Sequence, residues 1–136
     1  KYHLIMLEVS FHCLKFICTY SLPLKIVTSC NCTLCRRYGA LWAYAYIDHG
    51  ITVSGPTKAY ERGRKLNGFH FCSDCGCICY YKSNSDDELG RRRAAVNVRM
   101  INNPEKIQNL PIDHFEGLET FEDLPRDGRS VCHLWF

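Results

Sequence analysis

Apolar and polar residues alternate from position 7 to position 13. Leu7, Val9, Phe11 and Cys13 share one face, and Glu8, Ser10 and His12 the other. A period of two predicts a half-buried strand. The parity then shifts, because Phe16 and Cys18 fall on even positions. A tight turn near Cys13-Leu14 followed by a second strand explains the shift. After Pro23, "KIVTS" predicts another short strand and "TLCRRY" a turn or a single helical turn. The aromatic alternation of "ALWAYAYI" (40–47) predicts a strand. "ITVSG", "KAYER" and "GFHFC" predict three more, punctuated by Gly50, Gly55-Pro56, Gly63 and Gly68. "CICYYK" (77–82) and "RAAVNVRM" (93–100) complete a β-rich body, with the charged loop "SNSDDELGRR" between them. "EKIQNL" after Pro104 predicts a short helical turn. From Pro111 the pattern loses its period, and the tail is expected to wrap the body.

A length of 136 residues fits one domain with a core of its own, so disulfide staples are not required. The net charge of +3 is too mild to argue for nucleic acid. No run reaches the roughly 18 apolar residues of a membrane span. The apolar opening is broken by Glu8, His12 and Lys15 and lacks a small-residue cleavage site, so no secretory leader is expected there. Met6 is a candidate natural start, with residues 1–5 ahead of it. The expected location is cytoplasmic.

The ten cysteines change the picture. They lie at 13, 18, 30, 32, 35, 72, 75, 77, 79 and 132, many at C-x-C or C-x-x-C spacing. Such close neighbours hold a metal ion more readily than they form unstrained disulfides. Cys30, Cys32 and Cys35 offer three thiolates from one turn, and the next residues, Arg36, Arg37 and Tyr38, offer no obvious fourth. An open zinc site would have this form; a distant cysteine closing it is the alternative. "CSDCG" (72–76) has the form of a zinc knuckle, with Gly76 for the tight turn. It needs ligands from elsewhere, and the turn at Cys13 is a natural donor. Cys77 and Cys79 should share a face by strand alternation and read as small buried hydrophobes. Cys18 and Cys132 read as core or free thiols.

Together these segments resemble the glutathione-dependent formaldehyde-activating enzyme family, which also contains centromere protein V. "LEVSFHC" resembles the opening hairpin, "SCNCTLCRRYGA" the central C-x-C-x-x-C-R-R-x-x-G-A motif and "FHFCSDCGC" the later knuckle. "AVNVRM" and "FEGLETF" resemble the closing segments. The likeness runs from about residue 7 to 122, leaving 123–136 as a tail to a single zinc-binding domain. It implies a mainly-β, β-tent (Mss-like) fold of short antiparallel strands organised around zinc. It implies a catalytic zinc on Cys30, Cys32 and Cys35 and a structural zinc on Cys13, Cys72 and Cys75. The chain departs from the family at Phe11, where cysteine is usual, and at Leu14, where glycine is usual. The second zinc therefore lacks one matched ligand, with His12, Cys18, Cys77 and Cys79 as substitutes. His12 alternates to the face opposite Cys13. An empty site packed by Phe11 is the other outcome.

The family's activity joins glutathione to formaldehyde and is classed as a carbon–sulfur lyase. A zinc on three thiolates carries a formal charge of −1, which makes it a mild Lewis acid suited to holding a thiolate or polarising a carbonyl. Arg36 and Tyr38 follow the motif directly and are the expected catalytic side chains: Arg36 offsets charge or binds a carboxylate, and Tyr38 donates a proton. Arg37 is equally an exposed surface charge. The basic stretches Arg62, Arg64, Lys65 and Arg91–Arg93 are candidates for attracting an anionic substrate. Two other classes stay open: a related zinc enzyme for dehydration, decarboxylation or hydrolysis of another small molecule, and a zinc binding module. The expected partner is a small, glutathione-linked molecule, without nucleic acid or membrane; a homodimer is left open.

Overall fold

The computed structural model describes residues 6–135, so the segment 1–5 ahead of Met6 lies outside the described residues. Short strands dominate it. The parity shift at Cys13 has the predicted cause. β1 (Leu7–Ser10) and β2 (Ile17–Tyr20) pair antiparallel across a turn in which Leu14 takes φ 64° and donates its N–H to Phe11 O at 2.9 Å. The segments that follow are β3 (Val27–Cys30), the single-turn helix α1 (Cys35–Tyr38), β4 (Trp42–Ile47), β5 (Gly50–Ser54), β6 (Lys58–Glu61), β7 (Asn67–Phe71), β8 (Ile78–Ser83) and β9 (Arg93–Asn97). The main path of the sheet runs β1-β2-β5-β4-β9-β8-β7-β6. Most neighbours are antiparallel, and β4 and β5 meet parallel through two residue pairs.

Alternation along the central strands divides the apolar side chains between two clusters. Ala43, Ala45, Ala94, Val96 and Tyr80 join the larger core with Val9, Phe11, Phe16 and Cys18. Trp42, Ala95, Phe69 and Ile78 face the other way and pack with Cys32, Cys35 and Ala40. A side-chain period of two sends neighbours to opposite faces, so β4 serves both clusters.

Two features differ from the sequence reading. The tail from Pro111 carries strands that its missing period did not predict: β10 (Ile112–Phe115) lies parallel to β3, pairing Phe115 with Cys30, and β11 (Asp123–Leu124) pairs with β10. The strand is only four residues long, too short for a period to stand out. Cys77 and Cys79 both turn to the larger core, as alternation predicts, but Cys77 is not the buried hydrophobe expected. Cys77 precedes β8, and the register slips opposite Cys79, with Phe71 facing Ile78 and His70 facing Tyr80. This bulge breaks the alternation after Cys79, so that Cys79 and Tyr80 both join the larger core. Cys79 is enclosed in the core and Cys77 is only half-buried.

Asn97 is a buried polar side chain at the end of β9, with three of its four hydrogen-bonding positions used. Its Oδ1 accepts from the N–H of Leu41 and of Arg99, each at 3.2 Å, and its Nδ2 donates to Ile78 O at 3.0 Å. Among the described residues no helix is long and apolar enough to cross a membrane.

Candidate metal centre

Two groups of three cysteines have their sulfurs within 4.8 Å of one another: Cys30, Cys32 and Cys35, and Cys13, Cys72 and Cys75. Each group is built by backbone turns that aim N–H groups at sulfur. In the central turn the N–H of Cys32 donates to Cys30 Sγ at 3.5 Å and that of Cys35 to Cys32 Sγ at 3.2 Å. In the knuckle the N–H groups of Asp74 and Cys75 both donate to Cys72 Sγ at 3.4 Å. All ten cysteines are free, and Cys13 Sγ and Cys72 Sγ are 3.5 Å apart, far beyond a disulfide bond.

The central turn ends in α1, which Gly39 closes. With φ 64° it sits in the left-handed region, and its N–H returns to the carbonyls of Arg36 and Cys35. That region suits glycine because a Cβ is strained there. The buried indole N–H of Trp42 has no hydrogen-bond partner and lies on the side of the Cys35 sulfur. A buried donor without an acceptor costs roughly 1–3 kcal/mol. A sulfur kept as thiolate by a metal ion would satisfy it, so the donor set fits a soft divalent ion. Without metal the thiols share protons unevenly. The Cys35 thiol, with help from the Cys32 amide and the Arg62 charge, holds Cys30 down at about 6 against the opposing effect of burial. The same bond to Cys30, together with burial, pushes Cys35 up.

Gly117 covers the turn. Its N–H donates to Asn31 Oδ1 at 2.8 Å, and a Cβ there would stand 2.7 Å from Cys30 Sγ and 3.0 Å from Cys32 Cβ. The loop holding it is tied by Glu116, whose carboxylate accepts the N–H groups of Leu118, Glu119 and Thr120. Those bonds, with that of Glu119 foremost, hold the Glu116 carboxyl down at about 2.

Two cavities flank the central triad. One, of about 190 Å³, is lined by all three cysteines with Trp42, Tyr44, Phe69, Tyr81 and Arg62. Arg62 is anchored by Nη1 donating to Thr33 Oγ1 at 3.0 Å. Burial raises both Tyr44 and Tyr81, so both hydroxyls keep their protons at neutral pH. The other, of about 250 Å³, is lined by Cys30 and Cys35 with Arg36, Arg99 and Leu134.

Of the residues singled out in the sequence, the structure brings all six metal-site cysteines into their two groups. Arg36 is exposed and lies on the second cavity, away from the aromatic one. Tyr38 is half-buried and packs on Phe69, ring centroids 6.1 Å apart, outside the lining of either cavity. Arg37 donates to Thr33 O at 2.6 Å along the outside of the turn. Arg62 had drawn notice only as part of a basic stretch. Tyr44, Tyr81 and Gly117 were missed as site residues. The alternation of "ALWAYAYI" could have put Trp42 and Tyr44 on one face; nothing in the sequence pairs "FEG" with the cysteine turn.

No family model matches the chain, and no curated protein does. Among solved structures, the fold is similar to a crystal structure of a Rhodobacter sphaeroides protein. The TM-score is 0.60 at 22% identity, covering 77% of this chain and 98% of that one. At that identity the likeness speaks for the fold alone.

Proposed function

We propose that the chain is a β-tent zinc enzyme of the formaldehyde-activating type, acting on the carbon–sulfur bond of a glutathione adduct such as S-hydroxymethylglutathione. The observation that carries this reading is the asymmetry of the central triad. Three sulfurs converge from one turn, and all three border a cavity holding one anchored guanidinium. When bound there, zinc supplies an open coordination position for a thiolate or a carbonyl oxygen.

The surrounding side chains have separate tasks in that reading. Arg62 draws an anionic substrate toward the mouth and pairs with a carboxylate through its planar fork. Trp42, Phe69 and the rings of Tyr44 and Tyr81 exclude water and give the reacting group an apolar wall. The protonated Tyr44 and Tyr81 hydroxyls line the same cavity and would serve as donors for the oxygen that gains charge. In the synthetic direction the thiol sulfur bonds to the carbonyl carbon, the C=O π bond breaks, and the thiol proton ends on oxygen. No oxidant or reductant is needed. At about 190 Å³ the cavity is below the roughly 300 Å³ of common ligand pockets. It admits the reacting end of a peptide-like thiol, and the remainder lies outside along Arg62.

The small cavity equally favours a second reading, a zinc enzyme for another small carbonyl or thioester compound. Metal analysis and NMR-monitored turnover of formaldehyde, with and without glutathione, separate the two. The first reading expects glutathione-dependent loss of formaldehyde above the uncatalysed rate, abolished by Cys32→Ser. Zinc-dependent turnover only of substrates lacking glutathione selects the second. Zinc without turnover of any substrate leaves a binding module.

A further inference from the structure

The knuckle triad has three sulfurs, and structural zinc sites close with four protein ligands. We infer that Cys77 supplies the fourth thiolate, so that Cys13, Cys72, Cys75 and Cys77 form a closed four-cysteine site for a soft divalent ion. The inference rests on the reading of this triad as a metal site and adds its missing ligand.

Phe11, at the position where a ligand would be expected, is committed elsewhere. It is fully buried and stacks on Phe16 at 4.8 Å, which stacks in turn on Tyr80 at 5.6 Å. Cys77 stands two residues beyond Cys75 and beside its sulfur. It is half-buried at the rim of a cavity of about 350 Å³ shared with His12 and Leu14, which leaves its side chain room to change rotamer. Cys18 and Cys79 have no such freedom, because both are fully enclosed in the core. Cys77 and His12 both lie outside the group of three converging sulfurs, but His12 is exposed, whereas Cys77 is half-buried against that group.

The backbone treats Cys77 as it treats the other three. The N–H groups of Lys15, Asp74 and Cys77 face the sulfurs of Cys13, Cys72 and Cys75, in each case from two residues onward. The sulfur of Cys77 is faced by the N–H of His12, from the opposite strand turn. Amide donors around sulfur stabilise bound thiolates and fix their orientation. Four thiolates around a divalent ion leave a charge of −2. The Lys15 ammonium, which pairs with Asp74 and feels the charges of Cys13 and Cys72, lies beside the cluster to offset part of it.

The test is metal retention and cobalt spectroscopy on the full chain. Wild type, Cys77→Ser, Cys77→His and Cys79→Ser are loaded with Co²⁺, and metal release to a chelator is followed. Cys77→Ser is expected to lose about a quarter of the knuckle site's sulfur-to-cobalt absorption and to release that ion at least tenfold faster. Cys77→His should restore retention but not the absorption, and Cys79→Ser should match wild type. Unchanged absorption and release in Cys77→Ser would overturn the inference while leaving the three-cysteine metal site standing. If Cys72→Ala also leaves metal content unchanged, the knuckle holds no metal, and that reading falls with the inference.

Discussion

Cys30, Cys32 and Cys35 come from one turn, whereas Cys13 and Cys72 lie 59 positions apart and meet across the fold. The local device is the same in both, backbone amides aimed at sulfur. The setting differs. The central triad borders two cavities, sits under a glycine and has an aromatic wall. The knuckle triad joins the β1–β2 turn to the start of β8, beside a clasp between Lys15 and Asp74. Tying distant points removes more entropy from the unfolded chain than tying near ones. With a loop-closure cost near (3/2)RT ln n, the 59-residue separation is worth about 2 kcal/mol more than the five-residue one. On the proposed reading a metal in the knuckle would act on folding, and a metal in the central turn would be free to act on a ligand.

The strongest way to break this contrast is to strip metal stepwise. A weak chelator should empty the central site first, with a change of only a few degrees in melting temperature. A strong one should then empty the knuckle and lower Tm by at least about 10 °C, since about 3 kcal/mol or more is lost. Calorimetry alongside elemental analysis reads both steps. Loss of both ions in one step, with one unfolding event, would erase the distinction.

Asn97 offers a different lever, because it serves both regions. It bonds the chain just after the central turn, at Leu41, and just after the knuckle, at Ile78. Asn97→Ala leaves buried groups unpaired and should cost about 2–3 kcal/mol. Denaturant unfolding should register that loss, and metal release from both sites should quicken. An effect confined to one site would mean that the regions are less connected than these bonds imply.

Gly117→Ala sharpens the contrast from the other side. Its Cβ would fall 2.7 Å from Cys30 Sγ, so the covering loop or the ligand must move. Central-site affinity should drop about tenfold, which is about 1.4 kcal/mol, with global stability nearly unchanged. Competition titration with a chromophoric chelator measures it. Equal weakening of the knuckle would contradict the separation of the sites.

How much of this was legible in the sequence depended on distance along the chain. Five of the six cysteines announced themselves by spacing, a feature of adjacent residues, and Cys13 by its place in the turn between two strands. The strand parity of 7–13 and 40–47 was legible for the same reason. β10 was not, since four residues show no period and its partner β3 lies more than 80 positions away in sequence. The bulge opposite Cys79 was invisible because a single extra residue leaves the apolar pattern intact. Tyr38 follows the motif in sequence, yet the helical turn points it at Phe69 rather than into a cavity.

The division of labour between the two triads is tested most directly by comparing Cys32→Ser with Cys75→Ser. Zinc content, melting temperature and turnover of formaldehyde with glutathione are measured on each. The account predicts that Cys32→Ser loses one zinc and all turnover while melting within a few degrees of wild type. It predicts that Cys75→Ser melts at least about 10 °C early or fails to stay soluble. Equal losses of stability in both variants, or full turnover in Cys32→Ser, would contradict it.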